Sequence, residues 1–132
     1  MTNMYRPYFS ISGQFEPDDI TRDLEIEPSW IERIGDPGRP NAMGPRSGAI
    51  WSWQPQDDDS DDVGDQLAYL AGALSLKRQK VAALSKNFGG TFHVFHLEGR
   101  PPRWFLSADT LRLIADLQVN IVCKQIGLDE RG

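Results

Sequence analysis

Thr91-Phe92-His93-Val94-Phe95-His96-Leu97-Glu98 reads as a strand with apolar residues on both faces. Phe92 and Val94 share one face, Phe95 and Leu97 the other. Apolar side chains on both faces mark a strand in the middle of a sheet rather than at its edge. Glu98-Gly99-Arg100-Pro101-Pro102 then turns the chain, and Arg103-Trp104-Phe105-Leu106 is expected to return beside it as a further strand. Upstream, Gly89-Gly90 supplies the break that ends a helix.

That helix carries one apolar stripe: Leu67, Leu70, Leu74, Val81, Leu84 and Phe88 step by three, four and seven residues. Lys77 interrupts the stripe, so a bend or split is expected near Ser75-Leu76. Gly72 is read as permitting close packing. The run Asp57-Asp58-Asp59-Ser60-Asp61-Asp62 precedes the helix, where negative charge suits the positive end of the helix dipole. Before it, Ala49 to Trp53 is a strand with Trp51 and Trp53 on one face. At the amino end, Tyr8 to Gly13 alternates, with Phe9 and Ile11 facing the core and Ser10 and Ser12 facing water. Pro17-Asp18-Asp19 opens a short helix whose Ile20 and Leu24 share a face, and Pro28 is expected to stop it. After Leu106, Ser107 caps a helix bearing Leu111, Ile114 and Leu117, and Asn120 to Ile126 is the last strand.

The resulting order is β-α-β-α-β-β-α-β, an α+β chain forming a single domain over residues 1–132. It implies a mixed or antiparallel sheet with helices packed mainly on one face. From the second strand onward the pattern is βαββαβ, which points to a ferredoxin-like split core. The alternative is a mixed sheet with helices on one face that does not follow that strand order.

Composition narrows the function. Net charge is −5, against the basic face expected of a nucleic-acid binder. A single cysteine, Cys123, excludes an internal disulfide and suits a reducing compartment; its apolar neighbours suggest a buried thiol. No apolar run approaches the ~20 residues that span a bilayer, and the amino end has no signal-peptide pattern, so a cytoplasmic location is expected.

No catalytic motif is present. His93 and His96 are three apart on a strand and point to opposite faces, so they cannot share a metal. There is no nucleophile elbow, Walker loop or dinucleotide fingerprint. The aspartate run lacks the glycine and terminal glutamate of a calcium loop. No cofactor and no metal are expected. Residues 29–48 form a long Gly- and Pro-rich loop of the kind that carries function. Within and beside it, Trp30, Arg33, Asp36, Arg39, Arg46 and Trp51 make the candidate binding surface, since Trp and Arg dominate binding hot spots. Asp57, Asp58, Asp59, Asp61, Asp62 and Asp65 make a candidate acidic patch.

The ordered set Phe9-Ser10-Ile11-Ser12-Gly13, Phe15-Glu16-Pro17-Asp18-Asp19-Ile20-Thr21, Leu24-Glu25-Ile26-Glu27-Pro28-Ser29, Gly35-Asp36-Pro37 and Gly48-Ala49-Ile50-Trp51-Ser52 resembles a bacterial domain of unknown function numbered 4279. The later Leu-rich helix and Phe105-Leu106-Ser107 with Leu111, Ile114 and Leu117 fit it too. The resemblance implies a small cytosolic bacterial protein and no particular reaction. Some relatives look like immunity or accessory proteins in toxin neighbourhoods.

These readings lead to a non-catalytic binding protein that acts by protein–protein contact. Its most concrete form is an immunity-type protein that neutralises a toxin, its acidic patch steered to a basic cleft. The second reading is a domain sensing an anionic metabolite through Arg33 or Arg39. The third is an uncharacterised enzyme. A protein partner is expected; nucleic acid and membrane are not.

Overall fold

A computed structural model describes residues 6–37, 44–97, 99 and 104–127. Five strands form one mixed sheet: β1 (Tyr8–Gly13), β2 (Trp30–Glu32), β3 (Ala49–Trp53), β4 (Gly90–Leu97) and β5 (Val119–Ile126), in the order β2-β3-β1-β4-β5. β1 runs antiparallel to both β3 and β4, and β5 runs parallel to β4. The helices are α1 (Pro17–Leu24), α2 (Val63–Leu74), α3 (Arg78–Phe88) and α4 (Ala108–Asp116), with a 3-10 turn at Ser75–Lys77 between α2 and α3.

The alternation of β1 decides which face is covered. Phe9 and Ile11 stand opposite Trp53 and Trp51 of β3, and Phe9 is also opposite Phe92 of β4. These side chains join Ile20 and Leu24 of α1, Leu67, Leu70 and Leu74 of α2, Val81 of α3, and Ile114 with Leu117 in one buried cluster. All four described helices thus pack on one side of the sheet. Phe9 is the hinge of the cluster, edge-on to Trp51 at 6.2 Å and to Phe92 at 5.8 Å between ring centroids.

Most elements form where the side-chain pattern places them. Pro17 opens α1 with Asp18 and Asp19 in its first turn. The Asp62 side chain caps α2 by accepting from the Asp65 amide at 2.9 Å. Ser107 caps α4 by accepting from the Thr110 amide at 3.1 Å. The long helical stripe splits at the turn holding Lys77, as its interruption implies. Helix α1 ends earlier than Pro28 requires, with Glu25 in the left-handed region at φ 57°. Gly72 has nothing near it, so it serves no close approach.

The strands depart from expectation in two places. Trp104 to Leu106 do not form a strand; Arg103 and residues 100–102 lie outside the described residues. The carbonyl of Phe105 instead lies so close to Gly64 that a Cβ there would clash with it. The segment is anchored on the start of α2, with Trp104 and Leu106 packed against the core and Phe105 86% exposed. An extended segment hung on a helix has the same alternation as a strand, which is why the two read alike. Without that hairpin, the strand order is that of the mixed sheet with one-sided helices, and not the split βαββαβ core.

The second difference is β2. Trp30 to Glu32 belong to the sheet, paired antiparallel with Ser52 to Ile50. Three residues are too few to show a period. The Ser29 amide donates to the Ser52 carbonyl at 2.7 Å, and the Ser29 hydroxyl accepts from the Gln54 amide at 2.8 Å, which fixes the start of the strand.

Trp51 is fully buried and its indole N–H donates to the Thr21 hydroxyl at 3.0 Å. Trp51→Ala removes a large core side chain, so a loss of about 3–5 kcal/mol is expected. Urea unfolding followed by circular dichroism measures it; a loss below about 1 kcal/mol would contradict the one-sided core.

Candidate functional site

The opposite face of the sheet carries no helix among the described residues. Strand register places a row of small hydroxyl residues across it: Trp30 lies opposite Ser52, Ser52 opposite Ser10, and Ser10 opposite Thr91. The next row holds Tyr8 opposite His93 and His93 beside Val122; Phe95 and Lys124 follow. Large rings therefore border a floor of small side chains.

The rings touch one another. Tyr8 stacks on His93 at 4.4 Å and 15°, lies near Phe95 at 6.0 Å, and meets the edge of Trp30 at 4.8 Å. Pairs of this kind contribute about 0.5–1.5 kcal/mol beyond burial, enough to hold a rigid ridge. Ser10, expected to face water, is buried at 6% exposure, and Ser52 beside it at 0%; Ser12 is exposed as expected. The Ser10 hydroxyl lies 2.7 Å from His93 Nε2 and donates to it when that nitrogen is unprotonated. Trp30, Tyr8, His93 and Phe95 are each half-buried, and Val122 is 47% exposed.

Burial, and secondarily the charge of Lys124, lowers the His93 pKa from its ordinary 6.5. The folded ring stays neutral where the unfolded ring takes a proton, so this contribution to stability is present above 6.5 and lost as pH falls through the folded value.

The residues of the candidate surface fall into different environments. Trp30 lies in the aromatic row. Arg33 donates from Nε to Glu16 at 3.1 Å and from Nη2 to Asp18 at 3.0 Å, and these bonds raise its already high pKa. Asp36 accepts the Arg33 amide at 2.7 Å and so closes its own turn, with Gly35 at φ 91°. Arg46 donates to the Gly48 carbonyl at 3.2 Å and approaches Glu32 at 3.4 Å. Arg39 lies outside the described residues. Trp51 is no part of a surface: it points into the core, on the face opposite Trp30.

The acidic run is only partly free. Asp57 accepts the Tyr69 hydroxyl at 2.7 Å, which raises the pKa of that phenol. Asp58 pairs with Arg6 at 3.5 Å, and Asp62 is the cap of α2. Asp59, Asp61 and Asp65 are exposed. His93 and His96 lie on opposite faces of β4, as their spacing requires. Among the described residues no group of three His, Cys, Asp or Glu is placed to hold a metal. Cys123 is exposed, not buried, because β5 is an edge strand with β4 as its partner. No described helix is long and apolar enough to cross a membrane.

The ring pairings of Tyr8, His93 and Phe95 lie outside the candidate surface expected from the sequence. Their signal was present: Tyr8 shares a face with Ser10, and His93 and Phe95 alternate with the core residues Phe92 and Val94.

The geometry defines an α+β domain with one packed sheet face and one face lined with aromatic rings. The chain belongs to the family described as Domain of unknown function (DUF4279), which matches residues 3–127. No curated protein and no solved structure matches it.

Lowering the pH from about 7 to about 5.5 is expected to reduce the urea midpoint, and His93→Gln to flatten that dependence. An unchanged slope in the variant, measured across the same series, would remove His93 from the account.

Proposed function

We propose that this protein is a non-catalytic binding domain that acts by protein–protein contact, and that the aromatic sheet face is its contact surface. One observation carries the reading: Trp30, Tyr8, His93 and Phe95 form a connected ring cluster on the face away from every described helix. Aromatic residues are enriched at the centres of protein interfaces, and rings already locked against one another lose little freedom on binding. The net charge of −5 favours a basic partner and speeds its approach. In its most concrete form this is an immunity-type protein of a bacterial cytoplasm that occludes a toxin, with Asp59, Asp61 and Asp65 adding negative charge.

A surface that senses anionic metabolites is less well supported. Arg33 and Arg46 already face carboxylates, which an anion would have to displace. A reaction would need titratable groups converging on a pocket, and His93 engages a hydroxyl and a tyrosine ring instead.

The test is recovery of a stoichiometric partner from the native host, followed by affinity measurement with Trp30→Ala and Phe95→Ala. Each is expected to weaken binding by about 30-fold or more, the scale of a hot-spot residue. Leu111→Ala, an exposed position on α4, should leave affinity unchanged. Equal affinities for all three folded variants would rule out the aromatic face.

A further inference from the structure

A second feature lies at the end of β3. An open cleft of about 590 Å³ is bounded by Glu27 and Pro28 of the α1–β2 connection and by Trp53, Gln54, Pro55 and Asp57. That volume is within the range of ligand sites, about 300–1,000 Å³. Its walls combine a half-buried indole and two prolines with two carboxylates. Among the described residues neither Glu27 nor Asp57 has an ion-pair partner. Asp57 uses Oδ1 to accept the Tyr69 hydroxyl, which leaves Oδ2 for another donor. No described lysine or arginine lines the cleft, and the nearby Arg6 is held by Asp58.

An apolar wall with an aromatic ring and two uncompensated negative charges suits an organic cation with an alkyl stem. We infer that this cleft takes the side chain of a lysine or arginine presented by a basic protein partner. The stem lies along Trp53 and the prolines, and the cation meets Glu27 and Asp57. Charge complementarity selects this occupant, since both the cleft and the whole chain are negative. The inference rests on the binding reading for its partner, although the cleft is separate from the aromatic row.

The experiment uses the ¹⁵N-labelled full chain titrated with three blocked tripeptides, Gly-Arg-Gly, Gly-Lys-Gly and Gly-Ala-Gly, and with free spermidine. The arginine or lysine peptide is expected to shift the Trp53 indole resonance and the backbone amides of Trp53, Gln54, Gln56 and Asp57 saturably, while the alanine peptide does not. Glu27→Gln combined with Asp57→Asn, which keeps an acceptor for Tyr69, should weaken that binding about three- to tenfold.

No saturable shift with either basic peptide, or an undiminished one in the folded double variant, would overturn the inference. Saturation by spermidine alone would replace the side chain with a free polyamine and equally overturn it. If the peptides bind as expected while Trp30→Ala and Phe95→Ala leave partner affinity intact, the aromatic-face reading fails and this one stands. If those variants lose the partner while the peptides do not bind, the cleft fails alone.

Discussion

Everything in this fold depends on Phe9 standing edge-on between Trp51 and Phe92. The contact requires β1 to be the middle strand, with β3 on one side and β4 on the other. Once those three rings meet on one face, the helices must pack there too, since that is where the apolar area lies to be buried. Strand geometry then does the rest: the alternate residues Tyr8, Ser10, Ser52, His93 and Phe95 are delivered to the other face. The packed core and the aromatic surface are two consequences of a single register.

The two faces solve different problems. The core interlocks aliphatic side chains from four helices with three aromatic rings. The other face sets rings beside small residues, and Ser52 and Ser10 are buried in it. A floor of small side chains lets the rings settle against one another rather than stand apart. The ring contacts supply rigidity with no covering helix among the described residues, a property suited to a recognition surface, where ordering on binding is costly. Arg33, Asp36 and Arg46 hold the turn beyond β2 and so set the position of Trp30 at one end of the row.

Much of this was legible in the sequence. The alternation in Tyr8–Gly13, the paired tryptophans of β3 and the stripe from Leu67 to Phe88 each name their element, and Lys77 marks the place where the helix breaks. The α+β class and the one-sided helices follow from those patterns. What was hidden has physical reasons. Trp104 and Leu106 are half-buried around an exposed Phe105, the alternation of a strand, yet the segment is placed by the close approach of the Phe105 carbonyl to Gly64, far away in sequence. Trp30 to Glu32 are too short for a period to show. Trp51 and Trp30 look equivalent as residue types, and only the register puts one in the core and the other on the opposite face. Cys123 sits among apolar neighbours in sequence but on an edge strand in space.

The most direct test is hydroxyl-radical footprinting of the free chain and of its complex with the native partner, read by mass spectrometry at Tyr8, Trp30 and Phe95, with the buried Trp51 as internal reference. Binding through the aromatic face predicts oxidation of those three rings in the free chain, strong protection in the complex, and no change at Trp51. Oxidation that stays the same on all three rings while protection falls on helix α3 or α4 would contradict the account.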